Sequence, residues 1–136
     1  TTFSPDRACT EAEVLTFLWR AAGKPESSYG PQDDSTAFWN SALHWFYDIG
    51  LLQQSEAFDS SRLCTRATAV NSIWWAFRRP EPEGAGGFGD VPGDYVKPVA
   101  WALEQEVTQG TSDTTFSPDK ACTRAEIVTF LYRAYH

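Results

Sequence analysis

The sequence predicts an all-α protein made of tandem helix-loop-helix repeats, and three observations predict it. The first is duplication: Thr1-Thr2-Phe3-Ser4-Pro5-Asp6-Arg7-Ala8-Cys9-Thr10 returns 113 positions later as Thr114-Thr115-Phe116-Ser117-Pro118-Asp119-Lys120-Ala121-Cys122-Thr123. A more diverged copy, Phe58-Asp59-Ser60-Ser61-Arg62-Leu63-Cys64-Thr65-Arg66-Ala67, precedes the last one by 58 positions. Self-similarity at such a period marks a repeat architecture, in which each unit buries its apolar face against its neighbours. The second observation is a Thr-x-x-Glu capping box closing two of these segments, and the third is helical spacing of the apolar residues around them.

The elements follow in chain order. Thr10-Glu11-Ala12-Glu13 opens a helix whose buried stripe is Val14, Phe17, Leu18 and Ala21. A Gly/Pro/Ser-rich linker covers residues 23–31. The second helix carries Trp39, Leu43, Phe46, Tyr47 and Leu51, which align at an offset of 56 with Tyr95, Val99, Ala102, Leu103 and Val107. The change of offset from 58 to 56 makes the loop of the middle copy two residues shorter. Thr65-Arg66-Ala67 opens the third helix with Thr68 where the box needs Glu, followed by Ala69, Ile73 and Ala76.

A second linker, residues 80–87, leads to the turn-rich Phe88-Gly89-Asp90-Val91-Pro92-Gly93-Asp94. The fourth helix then runs to about Glu106, with Pro98 tolerated because it falls in the first turn. An irregular stretch, residues 108–115, is pinned by Phe116 and turned by Ser117-Pro118-Asp119. Thr123-Arg124-Ala125-Glu126 opens the fifth helix, with Ile127, Phe130, Leu131 and Ala134 on its buried face. The first half of repeat one is absent from the sequence.

With 136 residues, 42% of them hydrophobic, one domain is expected. The net charge of −7 and pI near 4.7 argue against nucleic acid, whose binders neutralise phosphates with Lys and Arg. Any anion must therefore be held by a local basic site. No apolar run is long enough to span a bilayer, so no membrane insertion is expected. No basic-then-apolar signal peptide opens the sequence at Thr1, which suits a processed or trimmed piece.

Cys9, Cys64 and Cys122 hold the same place in each copy, just before the helix-opening Thr. An odd count raises a free thiol or an intermolecular bridge. Positions related by rotation are expected to lie apart, beyond the roughly 7 Å between Cα atoms that a disulfide allows. Buried small apolar residues are the expectation. With no CxxC pair and with His44 and His136 isolated, no metal and no cofactor are expected.

The residue after each capping Thr is Arg124, Arg66 or Glu11. An Arg there faces the positive end of the helix dipole, at a cost of roughly 0.3–1 kcal/mol relative to an acid. A guanidinium beside free helix N–H groups is a receptor for carboxylate or phosphate; the alternative is that each Arg pairs with a loop acid such as Asp90. Trp45 and Trp101 align just off the core stripe, where they would line a groove and stack on sugar rings or else fill core. Trp19, Trp74 and Tyr132 align as inter-repeat packing, and of Trp74 and Trp75 one must reach a groove or the surface. Glu13 and Glu126 are accounted for by capping and Asp6 and Asp119 by turns, so no catalytic constellation emerges.

Phe88-Gly89-Asp90-Val91, Tyr95 through Ala100-Trp101-Ala102, Val107-Thr108-Gln109-Gly110-Thr111, Thr114-Thr115-Phe116-Ser117-Pro118 and Thr123-Arg124-Ala125-Glu126 occur in an order and spacing that resembles S-layer homology (SLH) repeats. The resemblance covers nearly the whole chain: the second half of repeat one (1–23), a degenerate repeat two (31–79) and repeat three (88–136). It implies about two and a half repeats in a pseudo-threefold arrangement, with central helices surrounded by outer ones. It also implies a non-catalytic anchor on the envelope of a bacterium, usually Gram-positive, carried by a surface or secreted protein. The ligand it implies is an anionic secondary cell-wall polysaccharide, often with pyruvylated amino sugar, held in grooves between repeats.

Carried over by motif, the binding residues are Arg124, Arg66, Asp90, Trp101, Trp45, Gly110 and Thr111. Glu11 departs from the pattern, as do Gln32-Asp33-Asp34 and Gln53-Gln54-Ser55 of the middle copy, which leaves at most two competent grooves, Arg124's the better. The absent first half-repeat is expected to leave a hole in the pseudo-threefold centre, filled by upstream sequence or driving self-association. The competing reading is a degenerate repeat used as a protein-interaction or structural scaffold. A glycan-processing enzyme would need paired carboxylates that no spacing here predicts.

Overall fold

The computed structural model describes residues 6–27, 38–53, 55–84, 87–112 and 114–136. Thr1 to Pro5 of the first copy, Ser28 to Pro31 of the first linker, Gln32-Asp33-Asp34, Gln54, Ala85-Gly86 and Asp113 lie outside the described residues. Five α-helices form: α1 (Glu11–Ala21), α2 (Asn40–Ile49), α3 (Arg66–Ala76), α4 (Val96–Glu104) and α5 (Arg124–Tyr135). A 3-10 turn, Gly93–Tyr95, leads into α4. No strand occurs among the described residues.

Local chemistry sets the helix starts. Thr10 accepts from the Glu13 amide and Glu13 from the Thr10 amide, and Thr123 and Glu126 repeat this capping box on α5. Thr65 caps α3 through the Thr68 amide alone, as its sequence requires. Gly50 ends α2 in the left-handed region at φ 92°, where a side chain would be strained.

The helices α1, α3 and α5 touch one another, while α2 lies along α1 and α4 along α3. Val14, Leu18, Ala69, Ile73, Ile127, Phe130 and Leu131 from the central three, with Phe46, Val99 and Ala102 from the outer two, make one core. Ala21, predicted on the stripe of α1, is exposed in the last turn.

The starts of the central helices are stitched together by backbone. The amide of Cys9 donates to the carbonyl of Cys122 (2.9 Å), that of Cys64 to Cys9 (2.8 Å) and that of Cys122 to Cys64 (2.8 Å), closing a cycle. A second cycle surrounds it, from Glu11 to Arg62 (2.8 Å), Arg66 to Lys120 (2.9 Å) and Arg124 to Arg7 (3.0 Å). The cysteines are buried, free thiols, as expected, but they are not apart. A rotation separates equivalent residues only when they lie off its centre, and these sit at the centre.

The central helices close against one another, with a cavity of about 60 Å³ between α1 and α3 beside Cys64. What is uncovered is a flank of α5. Ala12, Leu15 and Thr16 of α1 and Ala67 and Val70 of α3 are buried, whereas their counterparts Ala125, Val128, Thr129 and Tyr132 on α5 are exposed. Tyr132 is therefore not repeat packing; it stacks on His136. Its counterparts Trp19 and Trp74 are fastened instead to their own linkers, donating to the carbonyls of Pro25 (2.9 Å) and Pro80 (2.8 Å).

Burial pushes all three thiols up, that of Cys122 to about 12. Because the thiolate is the nucleophile, iodoacetamide at about pH 8 should leave the native protein unmodified and alkylate all three cysteines in denaturant. Mass spectrometry showing labelling without denaturant would contradict a closed centre.

Candidate functional site

The loop of the last copy, between α4 and α5 (the third loop), is held from two sides. From below, Asp90 accepts from the amides of Phe116 (3.0 and 3.2 Å) and Ser117 (2.9 Å), which keeps its carboxyl below the usual range. These bonds to the charged form are lost once it protonates. Phe116 is thereby drawn fully into the core against Phe88, and Gly110 lies beneath that ring. A Cβ on Gly110 would meet the Thr115 carbonyl at 2.6 Å and the Phe88 ring, so the loop needs glycine for close approach. Thr111, Ser112, Thr115 and Ser117 form a hydroxyl cluster on the outer side, with Thr111 Oγ1 2.6 Å from Ser117 Oγ.

From the other side comes Arg66. Its Nε donates to the Phe116 carbonyl (3.0 Å), one Nη to the Gln109 carbonyl (3.0 Å), and the other Nη pairs with Glu126. The guanidinium lies over Phe116 at 4.7 Å and Phe130 at 5.7 Å, and the residue is 4% exposed. An arginine at the wrong end of a helix dipole is explained: it crosses to the next repeat and ties its loop. Its acid is Glu126 rather than Asp90. Glu126 has a double role that the capping box alone did not reveal, one oxygen on the Thr123 amide and the other on Arg66.

Arg124 sits elsewhere, at the α1–α5 junction, half-buried with its guanidinium 5.2 Å from the Phe17 ring centroid. Beside it, Arg7 accepts the Arg124 amide through its carbonyl and pairs with Glu13 by two hydrogen bonds (2.6 and 3.2 Å). Sequence reasoning passed over Arg7, although Arg7, Arg62 and Lys120 place a base at the same position of all three copies.

The predicted binding residues thus divide into three places. Arg66, Asp90, Gly110 and Thr111 converge on the third loop, Arg124 lies at the next junction, and the tryptophans are at neither. Trp45 and Trp101 are each 6% exposed, Trp45 against Phe46 and Trp101 against Phe77, and Trp101 also lines a cavity of about 370 Å³ with Phe77, Gln105, Val107 and Arg133. Trp75 is the member of its pair that carries a cation, with Arg79 4.3 Å above its ring. No metal-binding group of His, Cys, Asp and Glu occurs among the described residues, and no helix is long and apolar enough to cross a membrane.

The family model of the S-layer homology domain matches residues 87–128, from the Phe88 motif through the first turn of α5. Residues 87–128 are an S-layer homology domain. The SLH match contains Asp90, Gly110, Phe116, Thr123, Arg124 and Glu126, the residues that build the third loop and the junction after it. SLH domains are generally cell-wall anchoring modules, and such a domain implies association with the cell surface or wall. A comparison with curated proteins found no match.

Because Arg66 is a buried partner of a carboxylate and two carbonyls, Arg66→Ala should lower unfolding free energy by about 3 kcal/mol, read by urea denaturation. Arg66→Lys should recover less than half of that loss, since an ammonium cannot reproduce the planar fork.

Proposed function

We propose that the chain is a non-catalytic anchor that binds an anionic secondary cell-wall polysaccharide in a groove between repeats, on the surface of a Gram-positive type of envelope. In this reading residues 1–23, 31–79 and 88–136 are two and a half SLH repeats about a pseudo-threefold axis. The closed cycles of hydrogen bonds at the cysteines and at the helix starts support that arrangement. One observation carries the functional reading: of the two motif arginines, Arg66 is buried in the third loop, whereas Arg124 is half-buried at a helix N-terminus beside Arg7. A guanidinium at a helix N-terminus suits the carboxylate of an acidic sugar, such as a pyruvyl group. An acidic protein then recognises an acidic polymer by local pairing, without long-range attraction.

The wild-type domain should co-sediment with Gram-positive wall sacculi, and chemical removal of the secondary polysaccharide should abolish it. Arg124→Ala should weaken pelleting by about tenfold, the equivalent of one charge-assisted contact. Unchanged pelleting on stripped walls would sink this reading.

A second reading, a scaffold that associates with itself or with another protein, is favoured by the uncovered flank of α5, where Val128 is 48% and Tyr132 65% exposed. An apolar stripe at i, i+3, i+4 and i+7 is the pattern of a helix face that packs. Sedimentation velocity should then show concentration-dependent association that Val128→Glu removes, with pelleting on walls unaffected.

A further inference from the structure

The end of α5 remote from Arg124 faces the ends of α3 and α4, and the chain builds this junction twice. At the earlier one, of α1, α2 and α3, Trp75 lies against the C-terminal end of α2, so close that a Cβ on Gly50 would meet its ring at 3.3 Å. Alignment of the copies puts Arg133 in the place of Trp75, Gln105 in that of Ile49 and Glu106 in that of Gly50. The later junction therefore lacks the indole that the earlier one holds. Phe77, in the place of Ala22, returns part of the volume and packs on Trp101 (5.3 Å) and Tyr135 (4.9 Å). The cavity of about 370 Å³ remains beside it.

The floor of this cavity is apolar, with Trp101 and Val107 buried and Phe77 half-buried, and its mouth carries the exposed side chains of Gln105 and Arg133. No acid stands among the described lining residues, and no ion pair to Arg133 occurs among the described residues. Glu104, the acid of α4, is engaged elsewhere, accepting from the amides of Glu83 (2.9 Å) and Gly84 (2.8 Å). A ring-sized apolar space beside a guanidinium with no carboxylate of its own selects a planar apolar body that carries an anion. We propose that this cavity binds an aromatic carboxylate, its ring on the floor of Phe77 and Trp101 in the place that Trp75 takes at the earlier junction, and its carboxylate on Arg133. Such a group comes from a free aryl acid or from an aromatic residue at the C-terminus of a polypeptide. Along α5 the rise from Arg124 to Arg133 is about 13 Å, so the site is separate from the Arg124 groove and does not depend on the anchor reading.

Titration of the ¹⁵N-labelled domain with indoleacetate, N-acetylglycyltryptophan, N-acetyltryptophanamide and glucuronate, followed by amide and indole N–H shifts, tests the proposal. The two aromatic acids should give saturable shifts at Phe77, Gln105 and the Trp101 indole in the millimolar range, and the tighter of the two identifies the source. The amide, with a ring and no charge, should bind at least about tenfold more weakly, and glucuronate, with a charge and no aromatic ring, should give no shift. Arg133→Gln should weaken the aromatic acids at least about tenfold while the rest of the spectrum stays as in the wild type, because Arg133 is exposed. Arg133→Trp should fill the cavity as Trp75 fills its own junction and abolish the shifts. Arg124→Ala should leave them intact, which separates failure of this site from failure of the anchor reading. Equal shifts with the amide or with glucuronate, shifts that survive Arg133→Gln, or no response to either aromatic acid would each overturn the assignment.

Discussion

The amides of Cys9, Cys64 and Cys122 donate around a ring to one another's carbonyls, and this cycle fixes where α1, α3 and α5 begin. A short extended segment has donors and acceptors that must be paired once buried. Here each segment pairs with the corresponding segment of another copy, since the fold offers no sheet to receive it. The thiols beneath are small and apolar enough to be buried there. With the starts fixed, the residue after each capping Thr is aimed at the junction between copies.

That geometry makes the single position occupied by Glu11, Arg66 and Arg124 decisive. Arg66 becomes a strut and locks the third loop; its burial is compensated because a carboxylate, two carbonyls and two aromatic faces receive it. Glu11 leaves its junction open, and burial with Asp59 nearby raises its carboxyl above the usual range. Arg124 lies half-buried with its guanidinium beside the Phe17 ring. One backbone frame thus presents three chemistries, and the third loop owes its order to both Asp90 and Arg66 rather than to its own sequence alone.

Much of the fold was legible along the chain. Capping boxes, the Pro98 position and the apolar stripes are local signals, and each is read over a few turns of helix. The site was less legible. Arg66 and its partners are separated by 43 to 60 positions, and nothing local to Arg66 tells a strut from a ligand anchor. Trp45 and Trp101 show the same limit: their spacing is that of a groove edge, and only the packing of α2 on α1 and α4 on α3 decides how much of each ring is left uncovered.

The sequence by itself determined the five helices, the capped starts of α1, α3 and α5, the alignment of the copies and the family of residues 87–128, because periodicity and capping act over a few residues; α2 and α4 stop at Ile49 and Glu104, short of the expected Leu51 and Glu106. Only the tertiary structure decided that the cysteines meet, that Arg66 is consumed within the protein, that Glu126 serves two partners and that the flank of α5 stays bare. Those outcomes depend on how one copy is set against the next, and the contacts that set them join residues remote in the chain.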